Sequence, residues 1–265
     1  MFNNFIKGLK VQKSVINALF LRELKARFTS SQAGLFWTFF QPFFTTAVFV
    51  GMHSIISGSH GQQSNDYAVF MAVNLIPFFF FRDLLTKSAG AFKANKGLFI
   101  YKQVKPIDTI IARILVEGFI TLIVILAFLI IFYMLNIDIN PKDLTMSIIG
   151  ILWLIVFGFG LGILIAVGNL FYDFVEKIIG VISLPLMLLS AVFFSIQSIY
   201  QKSPIVAKLL LYNPVAHFME LIHGSFFYDL DTRFVNYEYM AIWTFAPFAI
   251  GIWLYINLEE KIISK

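Results

Sequence analysis

Long apolar runs are the feature that most constrains what this chain can fold into. A membrane-spanning helix needs about 20 mostly apolar residues, and we predict six such segments: 35–56, 67–81 (extended by an amphipathic stretch, 82–92), 114–135, 147–167, 178–200 and 239–258. Charged residues make up 13% of the chain, about half the share typical of soluble domains. The sequence therefore predicts an all-α, polytopic membrane protein.

The distribution of positive charge predicts the orientation of these segments. Of the 20 lysine and arginine residues, only Lys142, Lys202, Lys208 and Arg233 fall on the side opposite the termini. Because positively charged loops stay in the cytoplasm, we expect both termini there. The same bias accounts for the net charge of +5 without a nucleic-acid partner, and no nucleic-acid-binding motif is present.

The predicted organisation is a single transmembrane domain covering residues 1–265. Residues 1–34 have an apolar stripe at helical spacing, which predicts an amphipathic helix at the cytoplasmic interface, with a possible break near 10–14. Residues 35–258 form the six-span bundle, and 259–265 form a cytoplasmic tail.

Residues 203–230 contain two short amphipathic halves separated by Pro214, and neither half is long enough to span a membrane. Their position between the last two spans predicts a re-entrant or interfacial hairpin outside the cytoplasm. We interpret it as a lid over a pore; a plain surface loop is the alternative. Within the hairpin we single out five residues: Asn213, Pro214, His217, Glu220 and His223. The spacing of the last three does not place them on one helical face, so no metal site is expected.

The stretch 87–113 contains many cations and the aromatic residues Phe92, Phe99 and Tyr101. It predicts either a basic loop at the membrane surface or a short helix that docks into a soluble partner through an exposed cluster at 98–101. Arg113 and Glu117 are four residues apart, and we expect them to pair. In the fourth span, the glycines at 158, 160 and 162 predict close helix packing within the subunit.

The sequence lacks the motifs of several enzyme classes. It contains no phosphate-binding loop of the G-x-x-x-x-G-K-[ST] type, no H-E-x-x-H motif and no cysteine. The chain therefore has no visible means of hydrolysing ATP, and we expect it not to be an enzyme by itself.

Three stretches resemble a known family. "RELKARFTSSQAGLFW" followed by "QPFF" is similar to the start of permease subunits of type-2 ATP-binding-cassette exporters. The stretch 95–118, "NKGLFIYKQVKPIDTIIARILVEG", resembles permeases that export group 2 capsular polysaccharide. "YNPVAHFMEL" is similar to the family's Asn-Pro…Glu motif, although the family often has arginine where this chain has His223.

The resemblance implies a homodimer in the bacterial inner membrane, two copies of an ATP-binding-cassette ATPase, and a lipid-anchored polysaccharide as substrate. It also implies coupling to periplasmic and outer-membrane export proteins. It places the ATPase contact on the N-terminal helix and on the loop between spans two and three, where the candidate coupling residues are Lys93, Lys96, Tyr101, Lys102 and Lys105.

The family's first span borders the dimer axis, which makes aromatic residues near it candidates for a sugar-lined channel: Trp37, Phe40, Phe44 and Tyr67. Pyranose rings present apolar faces that pack against aromatic rings. The cations Arg22, Lys25 and Arg27 would attract an anionic polymer or anchor at the entrance. The alternative is that these rings face lipid and that the cations serve only topology.

Other functions remain open from the sequence. A second hypothesis within the exporter class is export of O-antigen, teichoic acid or a drug-like lipid. The stretch 95–118 favours capsular polysaccharide as the cargo instead. A membrane-embedded enzyme acting on lipid-linked sugars would need free acids, and the available ones, Asp83, Glu117 and Asp173, lie close to Arg82, Arg113 and Lys177, respectively. A scaffold without cargo is a third class.

Overall fold

A computed structural model describes residues 2–30, 32–57 and 62–264, and in these ranges the chain forms helices joined by short connections. The α-helices are α1 (Phe2–Ser30), α2 (Gln32–Ser57), α3 (Gln62–Ala89), α4 (Ala91–Asn95), α5 (Pro106–Met134), α6 (Leu144–Phe171), α7 (Phe174–Leu189), α8 (Ile196–Lys202), α9 (Pro204–Leu210), α10 (Pro214–Phe226) and α11 (Tyr237–Ser264). A 3₁₀ turn, Lys96–Leu98, follows α4. The all-α prediction is confirmed over the described residues.

Four of the described helices are long and apolar enough to cross a membrane: Asp66–Ala89, Pro106–Met134, Leu144–Phe171 and Tyr237–Ile263. They correspond to the second, third, fourth and sixth predicted spans. In α2, the apolar part is the shorter segment Phe40–Ile56. The bent pair formed by α9 and α10 would make a fifth span if it crossed as one unit.

The prediction of one continuous fifth span over 178–200 is wrong. Helix α7 has 16 residues and ends at Leu189, and α8 begins only at Ile196. Ala191 between them has φ +56°, a left-handed conformation that ends a helix. The apolar run continues through this break, so hydropathy alone could not locate it.

The third predicted span begins eight residues early, at Pro106 rather than 114. Proline is favoured in the first turn of a helix, where its missing N–H costs nothing. The Asp108 carboxylate accepts a hydrogen bond from the Lys105 N–H at 3.0 Å, and its other oxygen accepts one from Gln12 Nε2 at 3.1 Å. These contacts cap α5 and attach α1 to its first turn.

Helix α1 is continuous through residues 10–14, so the possible break predicted there is absent. It lies along α5 and α2. Of its predicted apolar stripe, Ile16, Phe20 and Leu24 are half-buried, as is Ile6. Leu9 and Phe28 are exposed, and the side chains of Phe2 and Phe5 lie outside the described set.

Helix α3 is the central element and packs against α2, α5, α6, α7 and α10. The close packing predicted for the glycines of α6 is confirmed within the subunit. A Cβ at Gly160 would lie 2.9 Å from the Phe248 Cα in α11. A Cβ at Gly162 would lie 2.8 Å from the Ser88 Oγ in α3. Gly160 therefore lets α6 lie directly against the backbone of α11, and Gly162 leaves room for the Ser88 side chain of α3.

Candidate functional site

The aromatic residues near the start of α2 form a stacked row. The Phe36 and Phe40 ring centroids lie 4.9 Å apart, those of Trp37 and Phe40 5.6 Å, and those of Phe40 and Phe44 5.4 Å. Trp37 is 58% exposed and Phe44 53% exposed. The row, Phe36–Trp37–Phe40–Phe44, is therefore a continuous π surface presented outward by one subunit, and three of the four predicted channel residues belong to it.

Tyr67, the fourth predicted channel residue, lies apart from this row. Its ring stacks on His53 near the other end of α2, with a centroid separation of 3.9 Å. It also lies 6.1 Å from the ring of Phe70, which in turn is 5.3 Å from the ring of His223. Tyr67 thus connects α2 with the helices around α10.

The aromatic row meets a polar pocket of about 250 Å³ at its Trp37 end. The pocket lies between α1, α2 and α3, and its lining is Arg27, Trp37, Gln41, Pro42, Phe79, Arg82, Asp83, Thr86 and Lys87. We call it the cation pocket. The Arg82 guanidinium lies 4.6 Å from the centre of the Phe79 ring and donates to Asp83 from Nε at 2.9 Å and from Nη2 at 2.7 Å. Arg27 and Arg82 are each paired with a carboxylate, of Glu117 and Asp83 respectively. Lys87, exposed in the lining, therefore supplies the charge by which the pocket would attract an anion.

The predicted entrance cations also have partners on neighbouring elements. Arg22 donates to the Asn95 side-chain oxygen at the end of α4. Arg27 pairs with Glu117 of α5. The expected pairing of Arg113 with Glu117 is wrong: Arg113 lies 3.4 Å from Glu23 of α1 and donates to the Lys87 carbonyl. Lys25 is exposed on α1.

The acids considered for an enzyme each have a cationic partner. Asp83 pairs with Arg82, as expected. Glu117 pairs with Arg27 and Asp173 with Lys93, rather than with Arg113 and Lys177. Asp83 and Glu117 line one cavity of about 30 Å³, which leaves no room for a sugar. Among the described residues, no three His, Cys, Asp or Glu side chains are grouped to hold a metal ion.

The predicted coupling segment folds as α4 and the 3₁₀ turn. Phe92 and Phe99 are buried against α5, α6 and α11, so the exposed cluster expected at 98–101 is reduced to Ile100 and Tyr101. The cations Lys93, Lys96, Lys102 and Lys105 are exposed around it. The surface is therefore a basic rim around two exposed apolar side chains, supported from beneath by buried rings.

The Asn-Pro…Glu motif supplies hydrogen bonds to both sides of the break between α7 and α8. Asn213 Nδ2 donates to the Leu189 carbonyl at 3.1 Å and to Ser190 Oγ at 2.8 Å, which satisfies the end of α7. Its Oδ1 accepts from the Val215 N–H at 3.0 Å and caps α10. Glu220 Oε2 accepts from the Ile196 N–H at 3.0 Å at the start of α8. Two residues of one motif thus hold both sides of the break.

In the stretch 203–230, where a hairpin is predicted, α9 and α10 are bent by 107° relative to each other, with Pro214 at the start of α10. Helix α10 is buried from Val215 to Ser225. His223 Nε2 lies 2.8 Å from Glu220 Oε2, and its Nδ1 lies 2.8 Å from Asn74 Oδ1 in α3. His217 has separate partners, the Leu211 carbonyl and the Asn236 N–H, in agreement with the expected divergence of the three side chains.

Sequence reasoning did not identify four residues that organise the site: Phe79, Arg82, Asn74 and Asn169. Phe79 and Arg82 line the cation pocket, but nothing local in the sequence pairs them with Trp37. Asn74 is a polar residue inside an apolar run. Asn169, fully buried, donates to the Ala89 carbonyl at 2.9 Å and accepts from the Glu176 N–H at 3.3 Å. A buried amide in an apolar helix needs hydrogen-bond partners, and that was the available signal.

The four long apolar helices are those of a polytopic membrane protein. Residues 14–227 match the family described as ABC-2 type transporter. The chain belongs to this family.

Curated relatives match the chain over nearly its whole length. It is 31% identical over 258 residues to the polysialic acid transport protein KpsM of Escherichia coli, covering 97% of this chain and 98% of that protein. It is 26% identical to the capsule polysaccharide export inner-membrane protein BexB of Haemophilus influenzae, covering 97% and 96%. It is 27% identical to the protein of the same description, CtrC, of Neisseria meningitidis, covering 94% and 92%.

Proposed function

We propose that this chain is the membrane-spanning subunit of an ATP-driven exporter that moves lipid-anchored capsular polysaccharide across the inner membrane. The observation that carries the proposal is the junction of the aromatic row with the cation pocket at Trp37. The relatives KpsM, BexB and CtrC are named as polysaccharide transport or export proteins, which supports the same class of cargo.

The cation pocket would receive the anionic end of the substrate from the cytoplasmic side. Arg82, held between the Phe79 ring and Asp83, has guanidinium N–H groups beyond those bonded to Asp83. Lys87 is exposed at the same pocket. Charge-assisted hydrogen bonds to a phosphate or carboxylate are stronger than neutral ones, so anion capture at this end would precede sugar movement along the rings.

The aromatic row would guide the sugar chain. Stacked rings offer several equivalent apolar contacts, none of them tight, which suits the repeated displacement of a polymer. In a homodimer whose two α2 helices flank the axis, the rows of both subunits would face one passage. Six crossings per subunit, with both termini in the cytoplasm, would place the cation pocket at its cytoplasmic mouth.

ATP hydrolysis would take place in two separate ATP-binding-cassette subunits, which would also bind Mg²⁺. Their docking surface on this chain would be the basic rim around Ile100 and Tyr101. The hydrogen bond from Arg22 to Asn95 joins this rim to α1, and α1 supplies Arg27 to the cation pocket. Movement of the rim would therefore reach the pocket through one helix.

On the opposite side, the α9–α10 hairpin would act as the extracytoplasmic lid, and the polymer would pass to periplasmic and outer-membrane export proteins. The test is deletion of the gene in its host and complementation with the intact chain. We expect loss of surface capsule with lipid-linked polymer retained inside the cell, and recovery of both on complementation. Unchanged surface capsule in the deletion strain would contradict the proposal.

A further inference from the structure

A concave surface with polar and aromatic side chains lies beside α9 and the start of α11. It has a volume of about 870 Å³ and is lined by Lys208, Leu211, Tyr212, His217, Arg233, Phe234, Val235, Asn236, Tyr237, Glu238 and Tyr239. Its walls come from α9, the α9–α10 turn and the segment leading into α11. We call it the tyrosine pocket.

The floor of the tyrosine pocket is fixed by His217. Its Nε2 lies 2.9 Å from the Leu211 carbonyl, which can only accept, so Nε2 carries the proton. Its Nδ1 accepts from the Asn236 N–H at 3.2 Å. Both ring nitrogens are therefore occupied, and His217 holds the two walls together instead of offering a hydrogen bond to a ligand.

The walls combine exposed aromatic rings with planar polar groups. Tyr212 is 76% exposed, and its carbonyl accepts from the Tyr239 hydroxyl at 2.7 Å. Tyr237 stacks on Trp153, with centroids 6.4 Å apart. The Arg233 guanidinium lies 5.1 Å from the centre of the Phe234 ring and 3.3 Å from Asp231. Tyr237, Tyr239 and Phe234 are thus held by neighbouring groups, and the Tyr212 ring is exposed.

We propose that the tyrosine pocket is a second saccharide-binding site, which receives the polymer as it leaves the transporter. Aromatic faces pack against the C–H faces of sugar rings; the guanidinium of Arg233 and the ammonium of Lys208 suit sugar hydroxyl and acidic groups, and the Glu238 carboxylate can accept from sugar hydroxyls. The volume lies within the range of about 300–1,000 Å³ usual for small-ligand sites, enough for a short oligosaccharide. The inference rests on the proposed function for the polymer's presence and for the outward orientation of this end.

The test uses the purified full-length chain in phosphatidylcholine nanodiscs, titrated calorimetrically with oligosaccharides obtained by partial hydrolysis of the host's own capsule. We expect Tyr212→Ala to raise the Kd about tenfold, because one stacking contact is lost, and Tyr212→Phe to leave it nearly unchanged. Tyr228→Ala is the matched control, because Tyr228 is an exposed tyrosine outside the pocket lining. Lys208→Gln should weaken binding, whereas Lys202→Gln should not.

Equal affinities for the wild type, Tyr212→Ala and Tyr228→Ala would overturn the assignment. Complete displacement of the oligosaccharide by inorganic phosphate at equal concentration would also overturn the saccharide assignment. That result would indicate a site for the phosphate of a lipid headgroup. Unchanged oligosaccharide affinity in Tyr212→Ala with loss of a periplasmic partner in co-purification would overturn it in favour of protein docking. A deletion strain that still displays capsule refutes the proposed function, whereas a complementing chain that binds no oligosaccharide refutes only this site.

Discussion

His223 of α10 and Asn74 of α3 are joined side chain to side chain, with Nδ1 and Oδ1 2.8 Å apart and both residues fully buried. The Asn74 amide donates its own N–H to the Phe70 carbonyl at 2.8 Å, which turns its oxygen toward the imidazole. Nδ1 of His223 therefore carries a proton, and Nε2 shares one with Glu220. This network fixes α10 to the central helix.

Glu220→Gln should be tolerated much better than Glu220→Ala. The Ile196 N–H and His223 Nε2 both contact Glu220 Oε2. A glutamine oxygen in that position still accepts from the Ile196 N–H, whereas alanine leaves both groups buried without a partner, at about 1–3 kcal/mol each. The measurement is the thermal unfolding midpoint of the purified chain in detergent. Equal midpoints for the two variants would contradict the assigned hydrogen bonds.

Asn213→Ala should lower stability by about 1–2 kcal/mol, because it removes the cap of α10 and both contacts to the end of α7. For a chain of this size the loss corresponds to about 2–8 °C in Tm. Asn257→Ala is the control, since that side chain makes one exposed bond to the Trp253 carbonyl. A control that is destabilised as much as Asn213→Ala would refute the special role of the motif.

Gly160→Ala should destabilise the packing of α6 on α11, because its new Cβ would lie 2.9 Å from the backbone of Phe248. Overpacking of this kind costs about 1–3 kcal/mol. Gly180→Ala is matched to it, since a Cβ there has no neighbour within 4 Å. We expect reduced membrane yield and Tm for the first variant only; indistinguishable behaviour of the two variants would show that α6 and α11 are not in backbone contact.

Trp37→Ala combined with Phe40→Ala should lower surface capsule about tenfold or more without changing the amount of chain in the membrane. The aromatic row loses Trp37, which lines the cation pocket, and Phe40, whose ring contacts the other three rings of the row. Lost stacking is worth about 0.5–1.5 kcal/mol per ring pair. The control removes two exposed rings of α11, Trp253→Ala with Phe245→Ala. Capsule is quantified by immunofluorescence, and a drop of the same size in the control would mean that general lipid contact, not guidance, is affected.

Charge reversal of Lys96, Lys102 and Lys105 to glutamate should weaken the association with the ATPase subunit. These exposed cations form the basic rim around Tyr101, and reversal replaces attraction by repulsion toward an acidic partner surface. Co-purification of the two subunits is the readout, with Lys202→Glu plus Lys208→Glu as the control pair. Undiminished co-purification of the triple variant would refute docking at this surface.

Much of this architecture follows from sequence, and the failures have a common physical origin. Four of the spans could be predicted from apolar runs, because whether a helix can lie in lipid depends on the composition of that one segment. They could not reveal the end of α7 at Leu189, because the break is stabilised by Asn213 and Glu220, more than 20 residues away.

The ion pairs show the same limit. The i,i+4 spacing of Arg113 and Glu117 predicted a local pair, but α1 lies along α5 and supplies Glu23 and Arg27 to these two residues. Whether two charged residues on one helix pair with each other depends on the charges of the helix that packs beside them. The spacing of residues within one helix does not specify which helix that is. The cation pocket escaped prediction for the same reason, because it needs three helices to form.

The most direct test of the central claim is ATP-driven transport in inverted membrane vesicles that contain this chain, its ATPase subunit and the host's lipid-linked polysaccharide. Polymer that enters the lumen becomes protected from an added capsule-degrading enzyme. The account predicts protection that requires ATP and this chain, and that falls about tenfold or more with Trp37→Ala plus Phe40→Ala. Protection that is equal with and without this chain would contradict it.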